Sequence, residues 1–159
     1  MPKQEEVEAL VASAYQLNEQ GKDQDALDVI ERALSLQPDD EDLLELKSVF
    51  LWNVTAYRSP QTCLDFGNDC LAREVGSELY FRVWRARVLD IMGCRYDDGT
   101  PEVTDVDKCL TGIADLQRAL ELEPNLFSKA EEWGWVPLSW EEDFGGLRLL
   151  PEFPSKLIR

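Results

Sequence analysis

The sequence predicts an all-α protein, an α-solenoid of three helix–turn–helix repeats with a C-terminal capping segment. Two observations carry this prediction. The segment ERALSLQP at residues 31–38 returns as QRALELEP at residues 117–124, with five of its eight letters unchanged. Apolar residues also recur at the three- and four-residue spacing of one helical face. With 159 residues, of which 44% are hydrophobic and 30% charged, the chain has the size and composition of one soluble globular domain.

The first predicted repeat covers residues 7–40. Its first helix is VEALVASAYQL at residues 7–17, which places its apolar side chains on one face. Gly21 can adopt the positive φ that ends a helix, and Asp23 can cap the next one. The second helix has a buried stripe of small and medium side chains and a proline just past its end. These residues are Ala26, Ile30, Ala33 and Pro38.

Two further repeats follow, the first of them degenerate. Residues 41–76 contain the helix DEDLLELKSVFLWNVTAY, and Ser59 with Pro60 can begin its partner helix. Residues 77–125 begin with the helix SELYFRVWRARVLDIMG and continue through a long loop, CRYDDGTPEVTD. Thr104 with Asp107 can cap the final helix. That helix repeats the spacing of the first stripe with Gly112, Leu116, Ala119 and Pro124.

These spacings resemble a known repeat family. Residues 21–38 resemble the second half of a tetratricopeptide repeat, and residues 112–124 resemble another copy. Gly112 stands where the family usually has alanine. The resemblance implies a single domain over residues 1–159 and no strand of consequence. Its parts would be repeats at residues 7–40, 41–76 and 77–125, followed by a capping segment at residues 126–159.

The segment after residue 125 is rich in aromatic residues. A solenoid must cover the apolar face that its next repeat would have covered, so we expect these side chains to pack on the third repeat. Ser139 and Glu142 fit a capping box for a short helix in this segment. A ligand-binding aromatic cluster is the alternative. The aromatic residues are Trp133, Trp135, Trp140, Phe144 and Phe153.

Catalytic and metal-binding patterns are missing from the sequence. The chain has no histidine, no GxSxG or GxxxxGK[ST] motif and no glycine-rich dinucleotide turn, so we predict no enzyme and no cofactor. The four cysteines form no CxxC pair, which favours buried free thiols over a zinc site. Cys63 and Cys70 would lie on one face of a helix. The sequence DDGT lacks the acids of a calcium loop and is predicted to be a solvated turn, so no metal is expected.

The charge is strongly acidic and unevenly placed. The formal net charge is −16, and residues 1–46 hold thirteen Asp or Glu against three Lys or Arg. Such a surface repels nucleic acid and anionic membranes and attracts basic partners, although solubility alone could explain it. The sequence begins without an apolar signal-peptide core and has no stretch long enough to span a membrane. We therefore predict a cytoplasmic protein without nucleic-acid or membrane partners.

The family resemblance also implies a function and a surface for it. Tetratricopeptide arrays generally bind a peptide or helix in a groove lined by the first helix of each repeat. The clamp that grips the C-terminal carboxylate of heat-shock chaperones is absent, because Val11, Tyr15 and Leu46 replace its polar residues. The groove candidates are Glu8, Val11, Tyr15, Asn18, Asp42, Glu45, Val49, Trp52, Asn53, Arg82 and Arg85.

The predicted function is non-catalytic binding of another protein through a basic or amphipathic segment. A small adaptor or regulatory subunit is the favoured interpretation. The alternative is a dedicated cytoplasmic chaperone similar to the tetratricopeptide chaperones of type III secretion. Arg82 and Arg85 lie on a helix that is apolar at most positions and must be buried on more than one side. These arginines would either pair with nearby acids or bind a partner's carboxylates.

Overall fold

The structure is a computed structural model of the 159-residue chain, and it describes residues 2–133 and 144–158. The chain forms two compact units, residues 1–77 and 78–159. Helices dominate both units, so the predicted all-α class is confirmed. The first unit contains α1 (Lys3–Glu19), α2 (Asp23–Leu36), α3 (Glu41–Thr55) and α4 (Pro60–Ala72). The second contains α5 (Glu78–Gly93), β1 (Cys94–Asp97), β2 (Thr100–Val103), α6 (Val106–Leu122), α7 (Leu126–Glu132) and two 3-10 turns, Leu147–Leu149 and Ser155–Leu157.

The first unit is built from successive packed helices. α1 and α2 form a helical hairpin, because Gly21 takes the positive φ of 72° that reverses the chain between them. α3 packs on α2, and α4 packs on α3. Val7, Ala33 and Leu43 bring three of these helices into one apolar cluster. The stripe predicted for α2 is buried as expected, since small side chains let neighbouring helices approach closely.

Two acidic residues near helix starts in this unit make short polar contacts. Asp40 caps α3, and its carboxylate accepts a 3.0 Å hydrogen bond from the backbone N–H of Leu43. The prediction that Asp23 caps α2 is wrong, because Asp23 is already the first helical residue. Its carboxylate instead accepts a 2.8 Å hydrogen bond from the side-chain amide of Asn18. Asp23 therefore ties the inter-helix turn to the end of α1.

The second unit is centred on the packed pair α5 and α6. As predicted, α5 is buried on more than one side: Tyr80, Phe81, Val83 and Trp84 are all buried, although they point in different directions around the helix. α6 contributes the repeated stripe to the same core. One apolar cluster of this unit includes Ile113, Leu116, Ala119, Leu126, Ala130, Phe144, Leu147, Phe153 and Leu157.

Gly112, on α6, occupies a crowded position in this core. A Cβ at this residue would lie 3.1 Å from Cδ1 of Leu147 and 3.3 Å from Cβ of Leu89. Those distances are shorter than ordinary van der Waals contact. The glycine at the usual alanine position is therefore explained by the close approach of α5 and of the C-terminal segment.

The predicted loop after α5 is a β-hairpin, so the prediction of no strand of consequence is wrong. β1 and β2 pair antiparallel, with Asp97 opposite Thr100 at the turn. Asp98 and Gly99 both have positive φ, 52° and 77°, as a two-residue turn with matching twist requires. The Asp-Gly pair was a usable sequence signal, and its exposed position agrees with the predicted solvated turn.

The start of α6 also differs from the prediction of a cap made by Thr104 with Asp107. Asp105 is the cap, and its carboxylate accepts a 3.1 Å hydrogen bond from the backbone N–H of Lys108. It also forms a 2.6 Å ion pair with the Lys108 ammonium group, and the hydrogen bonds from Lys108 lower the pKa of Asp105. The Thr104 hydroxyl donates instead to the carbonyl of Gly93, 3.2 Å away.

The described part of the capping segment packs on the second unit's core. Phe144 and Phe153 are buried in its apolar cluster. The ring of Trp133 meets that of Tyr80 edge-on, with centroids 5.3 Å apart. These three aromatic side chains therefore contribute to packing. Trp135, Trp140 and the predicted capping box of Ser139 and Glu142 lie outside the described residues.

Candidate protein-binding surface

The first unit presents a stripe of predicted groove residues along α1. Glu8 is exposed, and its carboxylate accepts a 3.0 Å hydrogen bond from the side-chain amide of Gln4. Val11 is half-buried against the cluster of the first three helices. Tyr15 is 52% exposed, whereas Asn18 is half-buried and bonded to Asp23. Glu8 and Tyr15 are therefore the exposed members of this stripe, and Asn18 also has a structural role.

A second stripe of predicted residues follows α3. Asp42 and Asn53 are exposed near the two ends of the helix. Glu45, Val49 and Trp52 lie between them and are half-buried. Residues spaced three or four apart share one helical face, so acids and apolar side chains occupy the same side of α3. This combination could accept an amphipathic ligand.

Aromatic contacts connect and extend the two stripes. The ring of Tyr15 on α1 meets that of buried Phe50 on α3 edge-on, with centroids 6.3 Å apart. Trp52 makes a similar contact with Tyr57, also at 6.3 Å. Tyr57 is 81% exposed. The predicted third helix ends at Tyr57, which was not assigned to the groove, and in the structure Tyr57 lies just beyond the end of α3.

Two basic side chains of this unit, those of Lys47 and Arg73, form ion pairs with acids. The Lys47 ammonium group is 3.1 Å from a carboxylate oxygen of Glu31 and lies 4.8 Å from the ring centre of Phe66. Arg73 makes ion pairs with Asp39 and Asp69. These ion pairs occupy the positive charges of Lys47 and Arg73 within the unit, and the net charge of the unit stays strongly negative.

The two predicted groove arginines of the second unit converge on Asp115, whose side chain is only 1% exposed. Arg85 donates two hydrogen bonds of 2.7 Å to the two carboxylate oxygens. Arg82 donates a third, of 2.8 Å, and also pairs with Glu78. The sequence left two roles open for Arg82 and Arg85, and the structure shows the first of them, pairing with nearby acids. Contact of Arg82 and Arg85 with a partner stays a prediction.

A second buried carboxylate holds the C-terminal segment. Asp90 on α5 accepts hydrogen bonds from the backbone N–H groups of Gly146, at 3.1 Å, and Leu147, at 2.9 Å. The hydroxyl of Tyr96 on β1 donates to the other oxygen of Asp90. Burial, followed by this hydrogen bond, raises the pKa of Tyr96 above its usual value. Sequence reasoning missed this site because its members meet only in the folded chain.

A shallow hollow lies between the hairpin and the C-terminal segment. It includes three large hydrophobic side chains that are substantially exposed: Tyr96, Leu149 and Ile158. This hollow is a second surface on which a ligand could bind. Its remaining lining residues are Gly99, Pro101, Gly145 and Arg148.

All four cysteines are buried free thiols. Burial raises the pKa of each of them, and that of Cys70 reaches about 11. Such thiols are weak nucleophiles and poor metal ligands. Within residues 2–133 and 144–158, no group of three His, Cys, Asp or Glu side chains could hold a metal ion.

Comparison with known proteins places the repeat in the first unit. Residues 7–49 match the family model described as tetratricopeptide repeat, and this range covers α1, α2 and most of α3. No curated protein and no solved structure matches the chain. In the part of the chain that the structure describes, no helix is both long enough and apolar enough to cross a membrane. The match supports the predicted repeat resemblance over residues 7–49, and tetratricopeptide repeats generally serve as non-catalytic scaffolds for binding other proteins.

Proposed function

We propose that the chain is a small adaptor or regulatory subunit that binds a protein partner on the α1–α3 surface. This surface is formed by Glu8, Val11, Tyr15, Asn18, Asp42, Glu45, Val49, Trp52 and Asn53. The observation that carries the proposal is the exposed ring of Tyr15, which shares one face of α1 with exposed Glu8 inside the matched repeat. Exposed Tyr57, in contact with Trp52, adds aromatic area next to this surface. Exposed aromatic rings are common energetic centres of protein interfaces.

The chemistry of the surface favours a basic amphipathic segment as its ligand. Apolar anchors of a helix or extended chain would contact Tyr15, Val49 and Trp52. Lysine or arginine beside those anchors would meet Glu8 and Asp42. The acids would mainly accelerate encounter, whereas the aromatic contacts would determine the lifetime of the complex.

The first test replaces one apolar anchor of this surface. After a partner has been isolated by affinity purification from the native host, Trp52→Ala should weaken binding by about 2 kcal/mol or more, chiefly through faster dissociation. Leu149→Ala, in the hollow of the second unit, is the control and should leave affinity unchanged. If only Leu149→Ala weakens binding, the proposed surface is wrong and the hollow is the binding site.

The second test removes charge without changing side-chain shape. Glu8→Gln with Glu45→Gln should slow association, and the effect should fade above roughly 0.3 M salt because the charges are then screened. Glu131→Gln with Glu152→Gln makes the same change in net charge on exposed residues of the second unit. Equal slowing by both pairs would show that net charge, and not the α1–α3 surface, steers the partner.

Coexpression separates the adaptor from the dedicated chaperone. An adaptor should bind a folded partner whose solubility is the same with or without this chain. A chaperone should keep soluble a client that aggregates alone, and Trp52→Ala should abolish that protection. That second result would replace the adaptor with the chaperone while retaining the surface.

A further inference from the structure

Two of the buried thiols lie in direct contact. The Sγ atoms of Cys94 and Cys109 are 3.5 Å apart. Cys94 begins β1, and Cys109 lies in the first turns of α6. A disulfide has its sulfur atoms about 2 Å apart, so each would have to move by less than about 1 Å. We propose that Cys94 and Cys109 form a reversible disulfide when the protein meets a small peroxide oxidant.

The other two cysteines provide a contrast within the same chain. Cys63 and Cys70 both lie on α4, seven residues apart. Their separation along the helix axis is about 10 Å, too far for a disulfide while the helix persists. The Cys63 thiol instead contacts the hydroxyl of Thr55 at 3.1 Å. The two thiols of the first unit are therefore not placed to cross-link with each other, whereas those of the second unit are.

The contacts of each sulfur indicate the order of reaction. Cys109 is fully buried, and its thiol donates to the carbonyl of Gly93 at 3.4 Å. Cys94 is 7% exposed and is covered by Gly146, whose missing side chain leaves room for the sulfur. Hydrogen peroxide therefore reaches Cys94 first, when residues 144–149 move away. Because burial raises the pKa of both thiols, the reaction is slow while this segment stays docked.

The chemistry balances with one molecule of peroxide. The Cys94 thiolate attacks an oxygen of hydrogen peroxide, which forms an S–O bond, breaks the O–O bond and releases hydroxide. Cys109 then attacks the sulfur of Cys94, and the S–S bond forms as the oxygen leaves as water. Two thiols and one peroxide thus give one disulfide and two waters. A dithiol reductant reverses the change by thiol–disulfide exchange.

Peptide mapping tests the proposal on the folded full-length chain. After peroxide treatment and alkylation of the remaining thiols, trypsin should release VLDIMGCR, residues 88–95, linked to CLTGIADLQR, residues 109–118. The peptide of residues 59–73 carries Cys63 and Cys70 and should remain fully alkylated. Recovery of four alkylated cysteines, or loss of thiol at Cys63 and Cys70 at the same rate as at Cys94, would overturn the proposal.

A single-thiol variant provides an independent readout. In Cys109→Ala the sulfenic acid on Cys94 has no neighbouring thiol, so dimedone should trap it in place of the cross-link. The oxidised wild type should also melt several degrees above the reduced form, because the disulfide closes the chain around the hairpin. Dithiothreitol should abolish that difference. Dimedone labelling of the wild type equal to that of the variant would show that Cys109 does not resolve the sulfenic acid.

Discussion

Removing the buried carboxylate of Asp115 should strongly destabilise the second unit, because it leaves two partly buried arginines without their shared partner. Asp115→Ala removes a carboxylate that is 1% exposed and accepts three hydrogen bonds from Arg82 and Arg85. The two arginine side chains are only 29% and 16% exposed, so neither can recover full hydration. Removing one member of a buried ion pair typically costs about 3–5 kcal/mol. We expect about 3 kcal/mol here, because both arginines retain some contact with water.

Urea-induced unfolding followed by tryptophan fluorescence measures this loss. Glu121→Ala is the matched control, since Glu121 forms an exposed pair with Arg118 on the same helix and should cost less than about 1 kcal/mol. Asp115→Ala combined with Arg85→Ala should cost less than the sum of the single changes, because the carboxylate and guanidinium groups stabilise each other. A loss below about 1 kcal/mol for Asp115→Ala would refute the reasoning. Arg82 and Arg85 would then be available as partner-binding residues.

Two smaller changes test the packing and the capping of α6. Gly112→Ala should lower the free energy of unfolding by about 1 kcal/mol. Overpacking against Leu89 and Leu147 costs about 1–3 kcal/mol, which outweighs the gain of about 1 kcal/mol from the higher helix propensity of alanine. Greater resistance to urea in this variant would contradict the close approach of the neighbouring side chains. The lowered pKa of Asp105 means that its stabilising contribution is complete above its unfolded pKa and is lost as pH falls through its folded pKa. Asp105→Asn should therefore flatten the fall in melting temperature between neutral and acidic pH, and an unchanged pH profile would show that the Lys108 contact contributes nothing.

Sequence periodicity predicted the helices well because the stripes of α2 and α6 depend on local spacing. Ala33 and Ala119 are small, recur at the same register and are buried in the structure. The predicted caps, Asp23 and Thr104, each lie one residue away from the observed N-cap. Sequence patterns do not locate a helix start to within one residue, because several neighbouring polar side chains can bond to the same backbone groups. The sequence could not identify Asp90 as the residue that holds the C-terminal segment. Helical periodicity does not show that the backbone N–H groups of Gly146 and Leu147 will face its carboxylate.

The same limit applies to the candidate binding surface. The positions on α1 and α3 follow from helical geometry, but their accessibility depends on neighbouring side chains. Asn18 is committed to Asp23, and Tyr57 adds exposed aromatic area next to Trp52. Both features arise at helix ends, where the chain direction changes and the spacing rule no longer applies.

The Asp90 anchor has a consequence for the order of folding. Asp90 and Gly146 are separated by 56 residues, whereas the hairpin and the α5–α6 pair close over shorter stretches of chain. Loop-closure entropy therefore delays docking of residues 144–149 until the nearer contacts exist. Until then the Asp90 carboxylate stays hydrated, so the cost of burying its charge falls on the last step. We therefore expect the contacts of the C-terminal segment to form after the transition state, so that they lengthen the lifetime of the native state more than they speed its formation.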